Sequence, residues 1–252
     1  MLCLGVCLSR IRDSFSFEIG GKMDNAIHPT AVIGSKVRLG KDNVIGAYVV
    51  IEGEVEIGNG NLFDSFSVIG SNAEFRGTFS KGAVKIGNNN HIGEHVTIHQ
   101  SLHEETATVI GDDAYIMTKV HVGHDAFIGN DVTLSSCSII GGHSVVQDFS
   151  NVGLGAVIHQ KRVVGRYSMV GMNSTVTKSI PPYVIGWGSP CKPYRINMVG
   201  LQRRGMDPKM IEAINYWLSK EQTGVEIKHE LSYLVEEQIK AWNELVVKVG
   251  GK

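Results

Sequence analysis

Histidine is the residue type that best equips this sequence for chemistry. The chain contains ten histidines in 252 residues, and most of them lie between positions 91 and 159. The segment HVGHD at 121–125 holds two of them, with a carboxylate directly after His124. A histidine with an orienting carboxylate can serve as a general base because its pKa lies near neutrality. We therefore take His124 as the candidate base and Asp125 as its orienting partner.

A six-residue repeat governs where these histidines lie. From Ile110 the sequence reads as twelve consecutive hexads, from IGDDAY to VTKSIP, and each begins with Ile, Val or Leu. Eight earlier hexads run from Ile27 to Glu74, and three more occupy residues 84–100, slightly out of frame. No helical period of 3.6 residues is present before residue 196. A repeat this long predicts a solenoid.

Each hexad is expected to form one short strand and one turn, so that three hexads complete a triangular coil. The aliphatic first residue points inward and stacks on its equivalent in the next coil, at the ~4.8 Å spacing of neighbouring strands. A small second residue, often glycine, relieves crowding at the corner. The predicted fold class is all-β: a left-handed parallel β-helix, or hexapeptide-repeat solenoid, with a small C-terminal α-helical cap.

The repeat brings three histidines onto one face. The hexads that contain His124, His143 and His159 begin eighteen residues apart and therefore stack. Their imidazoles occupy different places within the hexads, so they form a polar ladder along that face, and His121 lies just before it. An isolated turn histidine is most often an exposed residue without a role. The ladder together with the HVGHD segment favours an active site.

A metal centre is the alternative use of such a ladder. Zinc requires two or three imidazoles at about 2.1 Å from one ion, and γ-class carbonic anhydrases carry histidine ligands on this kind of solenoid. His121 and His124 are three residues apart on a turn, and this spacing suits a shared ion poorly. The sequence therefore predicts no metal, and a metal-dependent hydratase stays open as the weaker alternative.

Two stretches interrupt the hexads, at 75–83 and at 101–109. Insertions in a solenoid form loops on one face, which is often the binding face, although surface insertions without a function are also common. Both stretches border the histidine-rich hexads. We therefore expect both loops to lie beside the site.

The repeat is expected to end at Pro181-Pro182 and to give way to helices. Asp207-Pro208 is typical of a helix start, and Gly224 of a helix end. A second helix is predicted at about Val225–Val247. These helices would cover the last coil, which otherwise exposes the edge of a sheet. The expected parts are an N-terminal extension (1–24), the β-helix (25–195) and a C-terminal helical region (196–252).

Composition disfavours several classes of function. The formal net charge is −1, so there is no basic field for nucleic acid. The apolar stretch at 2–8 is short for a signal peptide, and no run reaches the length of a membrane span. The four cysteines lack the spacing of a metal site. Such thiols are typical of a reducing compartment, and we expect a cytoplasmic protein.

Seven segments carry a resemblance to a known family: IHPTAVIG (27–34), VTIHQ (96–100), MTKVHVGHDAFIGN (117–130), IIGGHSVV (139–146), AVIHQ (156–160), PPYVIGWG (181–188) and GLQRRG (200–205). In these segments the chain resembles the acyl-carrier-protein–UDP-N-acetylglucosamine O-acyltransferases, the LpxA-like hexapeptide-repeat acyltransferases that begin lipid A synthesis. The resemblance extends over about residues 25–220. It implies transfer of an acyl group to the 3-hydroxyl or amine of a UDP-sugar.

The resemblance also implies a role for particular residues. His124 would be the general base, Asp125 its orienting carboxylate, and the Gly142 N–H the donor to the oxyanion. The residues implied to contact the sugar nucleotide are Glu74, Arg76, His99, His121, His143, His159, Gln160, Asn197 and Arg203. Met172 lies where the family places its acyl-chain ruler and would restrict the groove to a medium-length chain.

The partners implied are a UDP-sugar, acyl carrier protein and two further copies of the chain in a homotrimer. Acyl carrier protein or an acyl-CoA would be the donor substrate, and no cofactor is implied. Carrier proteins are acidic, and a basic stretch could dock one. Its members are Lys192, Arg195, Arg203, Arg204 and Lys209.

The chain departs from the family pattern at several positions, and these leave the acceptor open. The segment after Gly70 reads NAEFRG, where Glu74 and Arg76 stand in for the usual acidic and basic residues. Gln100 replaces an arginine, and Val199 replaces an acidic residue. The alternatives are an acetyl-CoA-dependent sugar acetyltransferase, the metal-dependent hydratase resembling γ-carbonic anhydrase, and a non-catalytic binding module.

Overall fold

The computed structural model describes residues 25–77, 79–223 and 231–250. The expected N-terminal extension (1–24) and the predicted start of the second helix at 225–230 lie outside these ranges. Within them the chain forms a solenoid of short strands followed by three helices. The predicted left-handed parallel β-helix with a C-terminal helical cap is confirmed.

In the described residues, twenty-five strands build the solenoid, and most contain two or three residues because a corner interrupts every hexad. In chain order they are β1 (Ala26–Ile27), β2 (Val32–Ile33), β3 (Val37–Leu39), β4 (Val44–Ile45), β5 (Val50–Ile51), β6 (Val55–Ile57), β7 (Leu62–Phe63), β8 (Val68–Ser71), β9 (Ala83–Ile86), β10 (His91–Ile92), β11 (Thr97–His99), β12 (Ala107–Ile110), β13 (Tyr115–Ile116), β14 (His121–Val122), β15 (Phe127–Ile128), β16 (Thr133–Leu134), β17 (Ile139–Ile140), β18 (Val145–Val146), β19 (Asn151–Val152), β20 (Val157–Ile158), β21 (Val163–Val164), β22 (Met169–Val170), β23 (Thr175–Val176), β24 (Val184–Trp187) and β25 (Lys192–Ile196).

Three parallel sheets form the walls of a triangular prism. Wall A contains β1, β4, β7, β10, β13, β16, β19, β22 and β24; wall B contains β2, β5, β8, β11, β14, β17, β20 and β23; wall C contains β3, β6, β9, β12, β15, β18 and β21. The last strand, β25, pairs antiparallel with β24 and closes wall A. The chain thus passes A to B to C in every coil, and the turns between walls B and C form the BC corner.

The first residue of each hexad fills the interior. Ile116 stacks on Leu134, and Leu134 on Val152, in strict parallel register. All three side chains are fully buried, and the same column continues in both directions as one hydrophobic core. Because side chains alternate between the two faces of a strand, a slip of one residue would turn this column outward. The aliphatic position of the hexad therefore fixes the register.

A ladder of asparagines satisfies backbone groups at the start of wall A. The buried Asn61 amide donates to the Asn43 side-chain oxygen at 3.0 Å and to the Gly87 carbonyl at 2.9 Å. Its own oxygen accepts the Asn90 backbone N–H at 2.9 Å and the Asn90 amide at 3.0 Å. Each asparagine thereby links its coil to the coils before and after it.

The two interruptions of the hexads are loops, with bounds that differ from those predicted. The first lies between β8 and β9 at 72–82, and the second between β11 and β12 at 100–106. The predicted second stretch extended to Val109, but Ala107–Ile110 pairs with β9 and β15 as a strand. Both loops leave the solenoid at the BC corner, between walls B and C.

Three helices follow the solenoid: α1 (Met198–Arg203), α2 (Pro208–Thr223) and α3 (Ser232–Val249). Leu201, Ile214 and Val235, one from each helix, pack with Tyr183 of the solenoid in a second buried cluster. The last strand ends at Ile196, next to the predicted boundary. No helix in the described part of the chain is long and apolar enough to cross a membrane.

We expect Asn61→Ala to lower the free energy of unfolding by about 1–3 kcal/mol. The substitution leaves the Asn90 donors and the Asn43 and Gly87 acceptors without the hydrogen bonds that the Asn61 side chain makes to them. Urea denaturation followed by circular dichroism measures the change. Asn59→Ala is the matched control, since Asn59 makes the same kind of ladder contacts at an exposed position. A loss as large for Asn59→Ala would contradict the importance of the buried ladder.

Candidate active site at the BC corner

Two histidines from successive coils meet at the BC corner. His124 lies in the turn between β14 and β15, and His143 in the equivalent turn between β17 and β18. Their ring centroids are 5.0 Å apart with the planes at 89°. Asp125 and His143 both adopt left-handed φ values of 58°, which are uncommon for residues with a side chain. The corner conformation thereby aims these side chains along one edge.

His124 and Asp125 form an oriented pair. The His124 Nδ1–H donates to an Asp125 carboxylate oxygen at 2.8 Å, and both side chains are largely buried. This bond leaves Nε2 as the unprotonated nitrogen, which can accept a proton. The arrangement of imidazole and orienting carboxylate is the one that a general base requires.

The second loop holds Asp125 in place. Ser101 donates its hydroxyl to the Asp125 carboxylate, and the Leu102 N–H donates to the other oxygen at 3.1 Å. Thr106 adds a hydroxyl at 3.0 Å, while the Asp125 N–H donates to Thr108 Oγ1 at 2.8 Å. A loop of one coil therefore fixes the carboxylate of the next.

Two opposing effects set the pKa of Asp125. Burial is the largest single effect and raises the pKa, because it disfavours the charged carboxylate. Hydrogen bonds from Ser101, His124 and the Leu102 N–H stabilise the charge, and together with that of Thr106 they outweigh burial. The pKa of Asp125 therefore lies below its ordinary value, and the group is ionised at neutral pH.

Gly142 lies directly against the base. A Cβ built on Gly142 would come within 2.7 Å of His124 Nε2, so only glycine leaves the imidazole in this position. The Gly142 carbonyl accepts the Lys161 N–H at 3.0 Å. The proton-accepting nitrogen thus faces a backbone segment that exposes no side chain of its own, where a substrate carbonyl can approach.

Three further residues form a second group at the same edge. His99 of β11 and His121 of β14 have ring centroids 5.0 Å apart, tilted by 55°. Glu74 comes from the first loop, and all three offer a ligand atom within 4.8 Å of the other two. Phe75, the next residue of that loop, sets its ring edge-on to His124 at 6.0 Å. The first loop therefore completes this side of the site.

Burial keeps the surrounding histidines neutral. It lowers the pKa of His121, and the neighbouring His99 lowers it further. Burial likewise lowers the pKa of His143, although the Asp125 carboxylate opposes the effect. Both imidazoles are therefore hydrogen-bonding groups without charge at neutral pH.

Family models match two parts of the chain. The hexapeptide family, described as bacterial transferase hexapeptide (six repeats), matches residues 107–142. The family described as UDP N-acetylglucosamine O-acyltransferase, domain 2, matches residues 180–240. The first match contains the His124–Asp125 pair, and the second contains α1 and α2.

The curated relatives are named as UDP-N-acetylglucosamine O-acyltransferases, like the second of these families. The acyl-carrier-protein–UDP-N-acetylglucosamine O-acyltransferase of Burkholderia mallei is 36% identical over 130 residues, which are 51% of this chain and 50% of the relative. That of Aliivibrio salmonicida is 32% identical over 132 residues, which are 52% and 50%. The chain spans about half the length of the curated relatives it matches.

Solved structures extend the likeness along most of the chain. LpxA of Bacteroides fragilis, a UDP-N-acetylglucosamine acyltransferase, is 28% identical with a TM-score of 0.67, covering 82% of this chain and 87% of the other. LpxA of Acinetobacter baumannii is 29% identical with a TM-score of 0.67, covering 87% and 89%. The predicted resemblance to the LpxA-like acyltransferases is thereby confirmed.

The LpxA-like solenoid brings some predicted site residues together and leaves others apart. His159 lies in the coil after His143, exposed, with Nδ1 3.1 Å from the carbonyl of the exposed Gln160. Arg76 is exposed on the first loop and Arg203 at the end of α1. Met172 is exposed between β22 and β23, at the corner of walls A and B. Contact of these residues with a substrate stays a prediction.

Asn197 has a structural role that the sequence did not indicate. Its side-chain oxygen accepts the Gly200 N–H at 3.3 Å and caps α1. Its amide donates to the Tyr167 carbonyl at 2.8 Å, and the residue is buried. Both ends of the side chain are therefore engaged within the protein, and its contact with a nucleotide also stays a prediction.

No sequence pattern singles out the loop residues that hold Asp125. Ser101 and Thr106 were part of an interruption without any pattern. The available signal was position: the hexad after the interruption leads to the coil of Asp125, so that loop had to border the carboxylate. The sequence alone does not show which hydroxyls point inward.

We expect Ser101→Ala to lower the free energy of unfolding by about 1.5–3 kcal/mol at pH 7, because a hydrogen bond to a buried carboxylate is lost. The depressed pKa of Asp125 means that these bonds stabilise the fold above the unfolded-state pKa. Their contribution disappears as the pH falls through the folded-state pKa. The effect of the substitution therefore shrinks in acid, and urea denaturation at neutral and acid pH measures it.

Ser138→Ala is the matched control for this experiment. The Ser138 hydroxyl is buried without a hydrogen-bond partner in the described part of the protein. Its removal is therefore expected to leave the free energy of unfolding unchanged at either pH. A pH-independent loss for Ser101→Ala, or an equal loss in both variants, would contradict the assignment.

Proposed function

We propose that this protein transfers an acyl group from acyl carrier protein to a UDP-N-acetylglucosamine-type nucleotide sugar, with His124 as the general base. The observation that carries the proposal is the oriented His124–Asp125 pair facing Gly142 on an LpxA-like solenoid. The names of the curated relatives and of the solved structures support both substrates.

The proposed step is a direct attack on the acyl thioester. His124 Nε2 takes the proton of the sugar hydroxyl or amine while the acceptor atom bonds to the thioester carbon. The Gly142 N–H stabilises the oxygen that becomes negative. The intermediate then breaks the carbon–sulfur bond, and the proton on His124 passes to the leaving thiolate. Ionised Asp125 stabilises the imidazolium that exists between the two proton transfers.

The acceptor sugar is proposed to bind against the neutral histidines. Imidazoles without charge can both donate hydrogen bonds to hydroxyl groups and accept them. His121 lies in the same coil as His124, and His143 lies in the next coil. Glu74 and Arg76 lie on the first loop, which also covers the base through Phe75. The pocket thereby offers polar contacts to a sugar from both sides of the reacting atom.

Acyl carrier protein is proposed to dock on the basic stretch near the end of the solenoid. Lys192 and Arg195 are exposed on β25, and Arg203 and Lys209 are exposed nearby in the sequence. Arg204 is engaged instead, since it pairs with Asp131 and lies 5.1 Å over the ring of Phe149. The four exposed cations supply charge complementarity to an acidic donor.

A homotrimer is proposed because apolar side chains flank the site on exposed walls. Phe127 and Ile139, on either side of the BC corner, are each 43% exposed. Flat solenoid walls with such side chains are suited to pack against copies of the chain.

The cytoplasm is the proposed compartment. Cys137 and Cys191 are free thiols, and free thiols are typical of a reducing compartment.

We expect His124→Ala to lower kcat at least about 100-fold, since a general base contributes that much or more. Mass spectrometry of the product, with acyl carrier protein as donor and a panel of UDP-sugars as acceptors, measures the rate. His95→Ala is the control, because His95 stacks on Phe66 at the corner of walls A and B. Gel filtration checks that both variants keep the oligomeric state of the native protein.

Two outcomes would overturn the proposal. Activity retained in His124→Ala would remove the base. A higher rate with acetyl-CoA than with an acyl carrier protein donor would favour the sugar acetyltransferase instead.

We expect Met172→Gly to shift the preference towards longer acyl chains. The Met172 side chain is 68% exposed and would block the end of a groove between copies. Each further buried CH₂ contributes about 0.8 kcal/mol, or roughly a fourfold gain in relative rate. Competition between acyl donors of different length measures the shift. Met172→Leu keeps the bulk and is expected to keep the native preference, and an unchanged profile in Met172→Gly would contradict the ruler.

A further inference from the structure

Glu74, His99 and His121 offer the donor set of a transition-metal site. Each contributes one ligand atom within 4.8 Å of the other two. The set contains two imidazole nitrogens and one carboxylate oxygen, from two coils and a loop. The sequence does not indicate this set, because in the HVGHD segment His121 has His124 as its nearest histidine. In the structure His121 instead contacts His99 of the neighbouring wall B strand, through the pairing of β11 with β14.

One ring nitrogen of each imidazole already has a hydrogen-bond partner. His99 Nδ1–H donates to the Asn72 carbonyl at 2.5 Å, which leaves its Nε2 unprotonated. His121 Nδ1 pairs with the Thr97 hydroxyl at 3.0 Å. Metal-binding histidines show this arrangement, because a carbonyl or hydroxyl on one ring nitrogen orients the ring and fixes the tautomer while the other nitrogen binds the ion.

We propose that Glu74, His99 and His121 bind a divalent transition-metal ion, best Zn²⁺, and that the bound ion excludes the sugar. The second half of this proposal rests on the function proposed above. Two nitrogens and one carboxylate oxygen suit zinc, whereas magnesium and calcium require a shell of oxygens. Three protein ligands leave a fourth position for water.

To bind one ion, the three ligand atoms must come closer together than the 4.8 Å within which they now lie. An ion with bonds of about 2.1 Å holds tetrahedral ligands roughly 3.4 Å apart. His99 is buried in the wall, whereas Glu74 is exposed on the first loop. The carboxylate can therefore approach the two imidazoles by a change of rotamer.

The neighbouring group of His124, Asp125 and His143 also has its ligand atoms within 4.8 Å, but it is the poorer site. The Asp125 oxygens already accept hydrogen bonds from Ser101, Leu102 and Thr106 in addition to His124. A metal would have to break these bonds. In the described residues, no such hydrogen bond engages Glu74 or the Nε2 atoms of His99 and His121.

Zinc titration of the metal-free full-length protein against a chromophoric zinc chelator tests the site. We expect one tight equivalent, weakened at least 100-fold in His99→Ala and in His121→Ala. Thr97→Val keeps all three ligands and is expected to weaken binding about tenfold, as loss of a residue behind a ligand does. Cobalt substitution reports the same site through its visible absorption, and circular dichroism verifies the fold of each variant.

Two variants control for binding elsewhere. His91→Ala removes the imidazole of another histidine–carboxylate pair, in which His91 Nε2 lies 2.7 Å from Asp64, and is expected to leave zinc affinity unchanged. His143→Ala is expected to leave it unchanged as well. Loss of the tight equivalent in His143→Ala with retention in His99→Ala would overturn the assignment, as would the absence of any tight equivalent in the native protein.

The competition is tested separately, by acyl-transfer kinetics with and without zinc. We expect zinc to raise the KM for the UDP-sugar without changing the KM for the acyl donor, and this effect to be lost in Thr97→Val at low zinc. Zinc binding without such inhibition would overturn the exclusion of the sugar. A protein without acyl-transfer activity would overturn the proposed function, while the chelator titration would still decide the metal site.

Discussion

The parallel stacking of coils at a fixed register is the constraint on which the rest of this protein depends. Every strand is too short to be stable alone, and it is held by hydrogen bonds to the coils on both sides and by one inward aliphatic side chain. The column through Ile116, Leu134 and Val152 and the asparagine ladder set the same register by different means. Equivalent corners therefore superpose along the whole solenoid, and a residue type at one hexad position becomes a ladder along an edge.

The site depends on that superposition and on its two interruptions. The coils alone bring His99, His121, His124 and His143 to neighbouring positions, in the way that a rigid scaffold supports functional groups. The loops then supply what the hexads lack. The second loop fixes Asp125 with hydroxyl and N–H donors, and the first loop adds Glu74 and Phe75. Insertions are tolerated here because a solenoid can expel a loop at a corner without disturbing the stacked walls.

The edge that carries the site places an ionised carboxylate next to neutral imidazoles, and these groups have different chemical uses. Asp125 keeps its charge despite burial because hydrogen bonds outweigh the loss of solvent. His121 and His143 lose theirs because burial meets no sufficient compensation. The buried Asp125 anion beside neutral imidazoles favours a proton acceptor at His124 and uncharged hydrogen bonding around it. Neutral imidazole is also the form that binds a metal, and His121 belongs to both the proposed sugar pocket and the proposed zinc site.

The sequence by itself determined the solenoid, the stacking of the histidine hexads and the His124–Asp125 pair, because all three follow from a period of six residues and from adjacency in the chain. The tertiary structure decided the rest. Asn197 became a helix cap, Ser101 and Thr106 became the partners of Asp125, and His121 found His99 rather than His124 as the second imidazole beside Glu74. The contacts of Asp125 with Ser101 and Thr106, and of His121 with His99 and Glu74, cross between coils and loops, where the interruptions shift the spacing of stacked partners from 18 to 29 or 24 residues. Periodicity carries no information about such contacts, because they depend on the path of an irregular loop and on the rotamers of its side chains.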